Sequence, residues 1–353
     1  MELMEILALV IEKGCSDIYI VPGACITAKL RGVFTPLTED RLSIADSESI
    51  ISAMYELGYN RSMENLRRNG DDDFSLSLSK LGRFRCNVYK QRGSLAAVLR
   101  VVPFGLPDPK DLQIPDVVLT LGSLKRGMIL VTGPGGSGKT TTLACMIDLI
   151  NRSTSGHIIT LEDPIEYIHS HQSCIVSQRE VINDTESFAK ALRAALRQVP
   201  NVILLGEMRD HETIQTALTA AETGHLLLST LHTVGAAKTI DRIVDVFPAN
   251  QQQQVRIQLS MVLQAVVSQQ LIPTLDGGLA PAFEVMITNS AIQNIIREGK
   301  NHQLDNTIYA GAAQGMRTMD GDLLRLYKEK KISRENALLY AVNPDTLEKR
   351  LVS

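Results

Sequence analysis

The feature that most constrains the fold of this chain is a glycine-rich loop with an apolar run before it and a helical pattern after it. Residues 133–140 read Gly-Pro-Gly-Gly-Ser-Gly-Lys-Thr and fit G-x-x-x-x-G-K-[ST] at every fixed position. The apolar run covers residues 128–132, and the helical pattern continues to Ile150. A strand, a phosphate loop and a helix in this order predict that the chain binds ATP or GTP.

Each residue type in the loop suits a phosphate ligand. Glycines let the backbone wrap around a phosphate group and direct several N–H groups at it. Lys139 provides a cation for the β- and γ-phosphates, and the hydroxyl of Thr140 is a ligand for Mg²⁺. The start of the following helix adds partial positive charge. We therefore predict a nucleotide-binding segment made of Gly133, Pro134, Gly135, Gly136, Ser137, Gly138, Lys139, Thr140 and Thr141.

Composition disfavours nucleic acid as a partner. The net charge is −3, aromatic residues make up 4% and Trp is absent, so the sequence offers neither a basic field nor many stacking platforms. Five scattered cysteines without a C-x-x-C pair predict reduced, buried thiols in a cytoplasmic protein and no structural zinc module. No stretch approaches about 18 uninterrupted apolar residues, so we expect contact with a membrane only through a partner protein.

The pattern along the chain predicts four segments. Residues 1–103 are interpreted as a mixed α/β domain, and the proline-rich residues 104–116 as a linker. Residues 117–290 alternate strands and helices, which is typical of a mostly parallel α/β sheet. Residues 291–353 are interpreted as small helices that end near residues 335–341.

Short elements are predicted in both domains. In the first domain, the pattern predicts strands at 17–21, 26–30, 74–78, 82–91 and 94–102, and helices at 3–11 and 45–56. The last two strands are expected to form a hairpin through Arg92-Gly93. In the second domain, it predicts buried strands at 129–132, 157–161, 202–205 and 226–229, and helices at 186–198 and 213–223, with Gly224 as a C-cap.

Three segments with polar residues at predicted strand ends narrow the chemistry. Residues 160–167 hold three carboxylates, which can hold Mg²⁺ through water or activate an attacking water. Residues 202–210 are an apolar strand with Glu207 at its tip, where a carboxylate can meet Mg²⁺ or its waters, and Asp210 is placed to cap the next helix. His232 follows a third strand and is predicted to sense the γ-phosphate through hydrogen bonds. A parallel α/β sheet binds its ligand at such strand ends.

These segments in this order resemble the PilT family of type IV pilus retraction ATPases, within the wider type II/type IV secretion ATPase superfamily. The family's Walker A loop, acidic box (160–167), Walker B segment (202–210) and histidine box (226–233) occur with the family's spacing. Residues 291–300, Ala-Ile-Gln-Asn-Ile-Ile-Arg-Glu-Gly-Lys, are similar to the helix that the family associates with retraction. The resemblance covers nearly the whole chain.

The resemblance implies a homohexamer of two-domain subunits, each with a PAS-like N-terminal domain and a RecA-like ATPase domain, and ATP with Mg²⁺ between these domains. It implies a motor that acts at the cytoplasmic face of the inner membrane on a pilus platform protein similar to PilC. It also implies roles for single residues: Glu166 as the catalytic carboxylate, Glu207 as the Mg²⁺-linked Walker B acid, His232 as the histidine-box residue, and Arg83, Arg85 and Arg100 as arginines directed at the nucleotide.

Two alternatives remain open. A pilus-assembly or type II secretion ATPase of the same superfamily usually carries an extra N-terminal domain and a four-cysteine zinc motif, and we expect neither here. A low-turnover accessory or regulatory paralogue is kept open by residues 198–201, Gln-Val-Pro-Asn, where the family is typically acidic. The lost charge leaves the Mg²⁺ neighbourhood less negative, which bears on turnover more than on binding. A second departure, Gly135 in place of the family's usual Thr, keeps the phosphate chemistry.

Overall fold

The chain forms two compact units, Met1–Gly105 and Leu106–Ser353, and each has its own sheet and hydrophobic core. The finer division into four segments, with a linker at 104–116, stays a prediction, and residues 103 and 104 lie outside the described part of the chain. The computed structural model describes residues 2–30, 32–58, 61–78, 81–102 and 105–352.

The first unit is an antiparallel sheet whose helices share one core with it. The six strands are β1 Asp17–Ile20, β2 Cys25–Leu30, β3 Val33–Arg41, β4 Asp71–Leu78, β5 Gly82–Gln91 and β6 Ser94–Val102. The helices are α1 Leu3–Glu12, α2 Ile44–Leu57 and α3 Glu64–Asn69. The strand order is β3-β2-β1-β6-β5-β4, with every neighbouring pair antiparallel.

Alternation along β5 separates an apolar face of this sheet from a polar one. Phe84, Cys86 and Val88 are fully buried in the core that α1, α2 and α3 complete. Successive side chains of a strand point to opposite faces, so Arg83 and Arg85 lie on the face away from that core. One face of the sheet therefore builds the core, and the other presents charged residues.

The predictions for the first unit are largely confirmed. The strands at 17–21, 26–30 and 74–78, the two hairpin strands and the helices at 3–11 and 45–56 are all present to within a few residues. The hairpin turns at Arg92 and Gly93, which have φ of 46° and 77° as a two-residue turn requires. β3 and α3 were not predicted from the sequence. β3 is an edge strand that contains Pro36 and buries none of its residues fully, so it lacks the apolar alternation of a strand.

The second unit is a mostly parallel sheet with helices on both faces. Its strands are β7 Gly127–Thr132, β8 Gly156–Glu162, β9 Cys174–Glu180, β10 Val202–Leu205, β11 Leu226–Leu231, β12 Leu263–Pro273 and β13 Leu279–Ile287. The order is β13-β12-β7-β11-β10-β8-β9, and β13 alone among these strands runs antiparallel to its neighbour. The helices are α4 Asp116–Thr120, α5 Lys139–Ser153, α6 Phe188–Ala195, α7 His211–Glu222, α8 Ala236–Asp245, α9 Ala249–Val262, α10 Ser290–Glu298, α11 Leu304–Ala310, α12 Met319–Lys328, α13 Arg334–Leu339 and α14 Pro344–Val352.

The central strands of this sheet are apolar throughout because both faces are covered. Met128 and Leu130 of β7 belong to one core cluster, while Ile129 and Val131 belong to another. Neighbours along a strand face opposite ways, so the two clusters lie on opposite faces of the sheet. The uninterrupted apolar run before the glycine-rich loop has this cause.

The four buried strands predicted for the second unit are confirmed, and three of its other predictions need correction. The predicted helix at 186–198 is shorter, Phe188–Ala195, and starts after Ser187, whose side chain accepts the N–H of Lys190. The C-cap of α7 is Thr223, and Gly224 follows it with φ of 101°. The expected end of helical structure near residues 335–341 is wrong, because α14 lies beyond it.

Two expectations drawn from composition can also be compared with the structure. In the described residues, no helix combines the length and the apolar character needed to cross a membrane. The predicted burial of the cysteines is wrong for Cys25, which is partly exposed because it opens β2 next to the edge strand β3. The buried cysteines are Cys15, Cys86, Cys145 and Cys174.

Candidate nucleotide-binding site

The glycine-rich loop connects β7 to α5. β7 ends at Thr132, and α5 begins at Lys139 with Gly138 as its N-cap. Gly133, Gly136 and Gly138 have φ of 142°, 74° and 87°, values that other residues rarely adopt. The glycines therefore let the loop turn in front of the helix N-terminus, where backbone N–H groups collect.

The ammonium group of Lys139 is buried within this loop. Its Nζ donates to the carbonyl oxygens of Gly133 at 2.9 Å and Pro134 at 2.8 Å, and the residue is 7% exposed. Burial lowers the pKa of Lys139, and the carboxylates of Glu166 and Glu207 act in the opposite direction. A buried cation held by two neutral carbonyls at a helix N-terminus fits an anionic ligand, which would supply the counter-charge.

Other atoms of the loop also fit a phosphate group. A Cβ added to Gly135 or Gly136 would meet no atom within 4 Å, so this side of the loop is open. The hydroxyl of Ser137 is buried and has no hydrogen-bond partner in the described part of the chain. A phosphate oxygen would satisfy it. Thr140 and Thr141 both lie in the first turn of α5, and the Thr141 hydroxyl is 3.0 Å from that of Tyr167 in the acidic segment.

The acidic box, residues 160–167, begins within β8 and contains two glutamates in different surroundings. Glu162 is 6% exposed and accepts hydrogen bonds from the Thr160 hydroxyl at 2.6 Å and from Nε2 of Gln178 at 3.2 Å. Burial raises the pKa of Glu162 to about 7, although those hydrogen bonds oppose it. Glu166 is exposed in the loop that follows. Glu162 therefore holds the loop in place, whereas Glu166 and Asp163 are both exposed and remain accessible to a ligand or water.

β10 delivers Glu207 to the same edge of the sheet, because β10 lies between β8 and β11. Oε1 of Glu207 is 2.8 Å from Nε of Arg209, and Oε2 is 3.7 Å from Nε2 of His232. Two predicted site residues, Glu207 and His232, are thus neighbours across the β10/β11 pair. Their roles in catalysis stay predictions.

The prediction that Asp210 caps the helix after the Walker B segment is confirmed. Asp210 is the N-cap of α7, and its carboxylate accepts the backbone N–H of Thr213 at 2.9 Å and its hydroxyl at 2.8 Å. Because this cap determines where α7 begins, it also determines where the segment carrying Glu207 ends.

Of the three arginines predicted in the first unit, Arg85 and Arg100 are exposed and Arg83 is buried. Arg85 and Arg100 lie directly opposite each other in the β5/β6 register. Nε of Arg100 is 2.9 Å from Oδ1 of Asp17, which is buried; burial alone would raise the pKa of that carboxyl, and the contacts with Arg100 and Ser16 lower it. A cavity of about 220 Å³ on this polar face is lined by Asp17, Asp73, Arg85, Asn87, Val98 and Arg100.

Three residues that shape the second unit's site were not predicted from the sequence. Tyr167 and Arg209 lie within segments that were identified, but their contacts depend on how neighbouring strands meet. Gln269 on β12 accepts a hydrogen bond from Thr142 of α5 at 2.7 Å, and it was not identified at all. A signal was available, since Gln269 lies in a group of three polar residues, Ser268-Gln269-Gln270, within a mainly apolar stretch.

A parallel sheet with a glycine-rich loop, a buried lysine and two carboxylates at one edge defines a P-loop ATPase with a RecA-like ATPase domain, and the predicted fold class is confirmed. The sequence profile of the family described as "Type II/IV secretion system protein" matches residues 2–335. The chain belongs to this family.

Relatives match the chain over nearly its whole length. It is 42% identical to the "Type IV pilus retractation ATPase PilT" of Pseudomonas aeruginosa, over 98% of this chain and 99% of that protein. It is 40% identical to the "Type IV pilus ATPase PilU" of the same organism, over 98% of this chain and 90% of that protein. The crystal structure of the pilus retraction motor PilT with bound ADP superposes with a TM-score of 0.91 at 48% identity and covers 99% of both chains.

Proposed function

We propose that this protein is an ATP-driven motor that retracts a type IV pilus and thereby drives twitching motility. The observation that carries the proposal is that Lys139, Glu166 and Glu207 follow the C-terminal ends of β7, β8 and β10, which are parallel strands of one sheet, so that all three lie at one edge of it. Both carboxylates favour the charged form of the lysine and so oppose the lowering of its pKa by burial. The end-to-end similarity to a pilus retraction ATPase supports the mechanical role.

ATP and Mg²⁺ are the proposed ligands of this site. Lys139 and the N–H groups of the loop bind the phosphates, and the oxygens of Thr140 and Glu207 are suitable donors for Mg²⁺. Bound Mg²⁺ would neutralise charge on the phosphate oxygens. Glu166 is the proposed base for the attacking water, because it is exposed and follows β8 at the same edge of the sheet as Lys139. His232 senses the γ-phosphate from beside Glu207.

The proposal extends to the assembly. The motor is a homohexamer that acts at the cytoplasmic face of the membrane on a platform protein similar to PilC. Arg83, Arg85 and Arg100 are the proposed contacts to the γ-phosphoryl oxygens, since a guanidinium suits the charge that spreads over those oxygens during transfer. Arg85 and Arg100 are the first to test, because Arg83 is buried.

A low-turnover accessory ATPase is the second candidate. Residues 198–201, which keep this candidate open in the sequence, precede β10 and therefore lie at the edge of the sheet opposite the one that carries Glu207, so their missing charge does not act on the Mg²⁺ neighbourhood.

The test compares ATP hydrolysis and oligomer size for the purified full-length chain and the variants Glu166→Gln and Glu335→Gln. Glu335 is an exposed glutamate of α13 and serves as the matched control. We expect Glu166→Gln to bind ATP but to hydrolyse it about 10²-fold or more slowly, which is typical of losing a general base. The control should keep the wild-type rate.

Two results would change the assignment. If Glu166→Gln hydrolyses ATP at the wild-type rate, Glu166 is not the base. If the wild-type hexamer binds ATP without turning it over, the accessory role is favoured. Complementation of a piliated strain that lacks its retraction ATPase then tests retraction itself, and restored twitching by wild type but not by Glu166→Gln is the expected result.

A further inference from the structure

Three consecutive polar residues interrupt the apolar strand β12. Ser268, Gln269 and Gln270 are 0%, 4% and 7% exposed. Polar side chains in a strand that is covered on both faces are costly unless they are hydrogen-bonded. Each of the three side chains forms a hydrogen bond with a different part of the second unit, so β12 links those parts.

Gln269 faces the phosphate loop. Its Oε1 accepts the hydroxyl hydrogen of Thr142 at 2.7 Å, in the first turn of α5. A Cβ added to Gly133 would lie 2.1 Å from the carbonyl oxygen of Gln269, and one added to Gly138 would lie 2.8 Å from its Nε2. A single residue of β12 therefore contacts both ends of the loop and the helix that follows it.

The neighbouring Ser268 serves another element of the site. Its hydroxyl accepts the N–H of Gly235 at 2.9 Å, and Glu284, opposite Ser268 in the β12/β13 register, accepts the N–H of Ala236 at 2.7 Å. Gly235 is the N-cap of α8 and has no side chain to provide a cap. The sheet therefore caps the helix that follows the segment carrying His232.

Gln270 has a partner away from the loop. Its Nε2 donates to the carbonyl oxygen of Tyr340 at 3.1 Å, next to α13. It has the same side chain as Gln269, a similar degree of burial and an adjacent position on the same strand. It therefore provides a matched comparison for any effect of losing a buried amide from β12.

We propose that Gln269 is a positioning residue of the nucleotide site, and this deepens the proposed function. Its amide joins α5 to the loop ends and holds the loop in the conformation that binds phosphate. Lys139 is bonded to the carbonyls of Gly133 and Pro134, so a shift of the loop moves the lysine as well. Gln269 itself touches no phosphate; it acts through the loop.

The contact between Gln269 and Thr142 can be removed from either side. Gln269→Met keeps a similar length without an amide, and Thr142→Val keeps the shape without a hydroxyl. Thr142→Ser keeps the hydroxyl and is the conservative variant. Gln270→Met is the control for loss of a buried amide elsewhere on β12. Each variant is made in the full-length chain.

The readouts are the dissociation constant for a fluorescent ADP analogue and the melting temperature without nucleotide. We expect Gln269→Met and Thr142→Val each to weaken ADP binding about tenfold, corresponding to about 1.4 kcal/mol, a typical effect of one buried hydrogen bond. Thr142→Ser and Gln270→Met should stay within about twofold of wild type. The double variant Gln269→Met/Thr142→Val should bind ADP about as well as either single variant, since both remove one contact.

Unchanged ADP affinity in Thr142→Val and Gln269→Met would overturn the proposal. The proposal would also be overturned if Gln269→Met and Gln270→Met lost equal ADP affinity and both had a lower melting temperature. A general loss of packing would then explain both variants. If Gln269→Met fails to fold, the pair Thr142→Val and Thr142→Ser decides the matter alone. ADP binding needs neither hydrolysis nor a pilus, so a wild-type protein that binds ADP without turnover would contradict the proposed motor and leave this proposal intact.

Discussion

Replacing Gly133 by alanine tests how closely β12 approaches the phosphate loop. Three glycines of the loop differ in what a Cβ would meet. At Gly133 it would lie 2.1 Å from the carbonyl oxygen of Gln269, with φ of 142°. At Gly136 it would meet nothing within 4 Å, but φ is 74°. At Gly135 it would meet nothing within 4 Å, and φ lies outside the left-handed range.

The expected losses of stability follow from these differences. Gly135→Ala should change the free energy of unfolding by no more than about 0.5 kcal/mol. Gly136→Ala should cost about 1–2 kcal/mol, because only the backbone conformation is unfavourable. Gly133→Ala adds a steric overlap with the carbonyl oxygen of Gln269. β12 is held on both sides by pairing with β7 and β13, so this oxygen cannot easily move, and the overlap contributes about 1–3 kcal/mol more. Its total is about 2–5 kcal/mol.

Urea unfolding of the nucleotide-free protein, followed by far-ultraviolet circular dichroism, measures these losses. At a slope of about 3 kcal/mol/M, Gly133→Ala should lower the transition midpoint of the second unit by about 0.7–1.7 M, Gly136→Ala by about 0.3–0.7 M, and Gly135→Ala hardly at all. The loss in Gly133→Ala should accompany weaker ADP binding. If Gly133→Ala unfolds at the same urea concentration as Gly136→Ala, then β12 is not in close contact with the loop. The proposed positioning role of Gln269 would then be contradicted.

Three further substitutions test local contacts by unfolding measurements. Asp210→Ala removes the N-cap of α7 and should cost about 1 kcal/mol, and an unchanged midpoint would contradict the capping role. Asp72→Ala removes the buried partner of Arg61, Asn65 and Tyr55 and should cost about 3–5 kcal/mol in the first unit; a loss below about 1 kcal/mol would show that the ion pair is not needed. Burial raises the pKa of Glu284 from 4.5 to about 7, aided by Asp305 and Asp320 and opposed by two backbone N–H donors. The folded state therefore holds this proton more tightly than the unfolded state, so the stabilisation is complete below pH 4.5 and lost as the pH rises through about 7. The melting temperature should fall between pH 5 and 8, and Glu284→Gln should reduce that fall, whereas parallel curves would refute the assignment.

The elements that the sequence predicted well are those whose signals are local. The glycine-rich loop, the apolar strands before it and after it, and the hairpin through Arg92-Gly93 all follow from neighbouring residues. β12 was not predicted, because no local signal marks where it begins. It begins at Leu263, immediately after α9 ends at Val262, with neither glycine nor proline between them. Without such a residue, an apolar run cannot be divided into helix and strand from pattern alone.

Contacts between side chains on neighbouring strands could not be predicted where they depend on the order of strands in the sheet. Alternation along β5 and β6 is enough to place Arg85 opposite Arg100 once the hairpin is known. That Arg100 pairs with Asp17 depends on β1 lying next to β6, about 80 residues away along the chain. In the same way, Glu162 and Glu166 look equivalent in sequence. The Thr160 hydroxyl and the Gln178 amide, the latter on the neighbouring strand β9, make Glu162 a structural residue.

The polar residues of β12 show how a buried strand can influence a binding site that it does not enter. β12 pairs with β7 up to Thr132, the last residue before the loop, so the next residue of β12 lies beside the loop itself. An apolar residue at that position would pack there, but it would leave the Thr142 hydroxyl without its acceptor. Since Ser268 caps α8 from the same strand, the loop and the helix after the histidine box share one rigid support. β12 therefore connects the loop and that helix through two adjacent residues, in addition to the backbone hydrogen bond that Gly133 donates to Leu231 of β11.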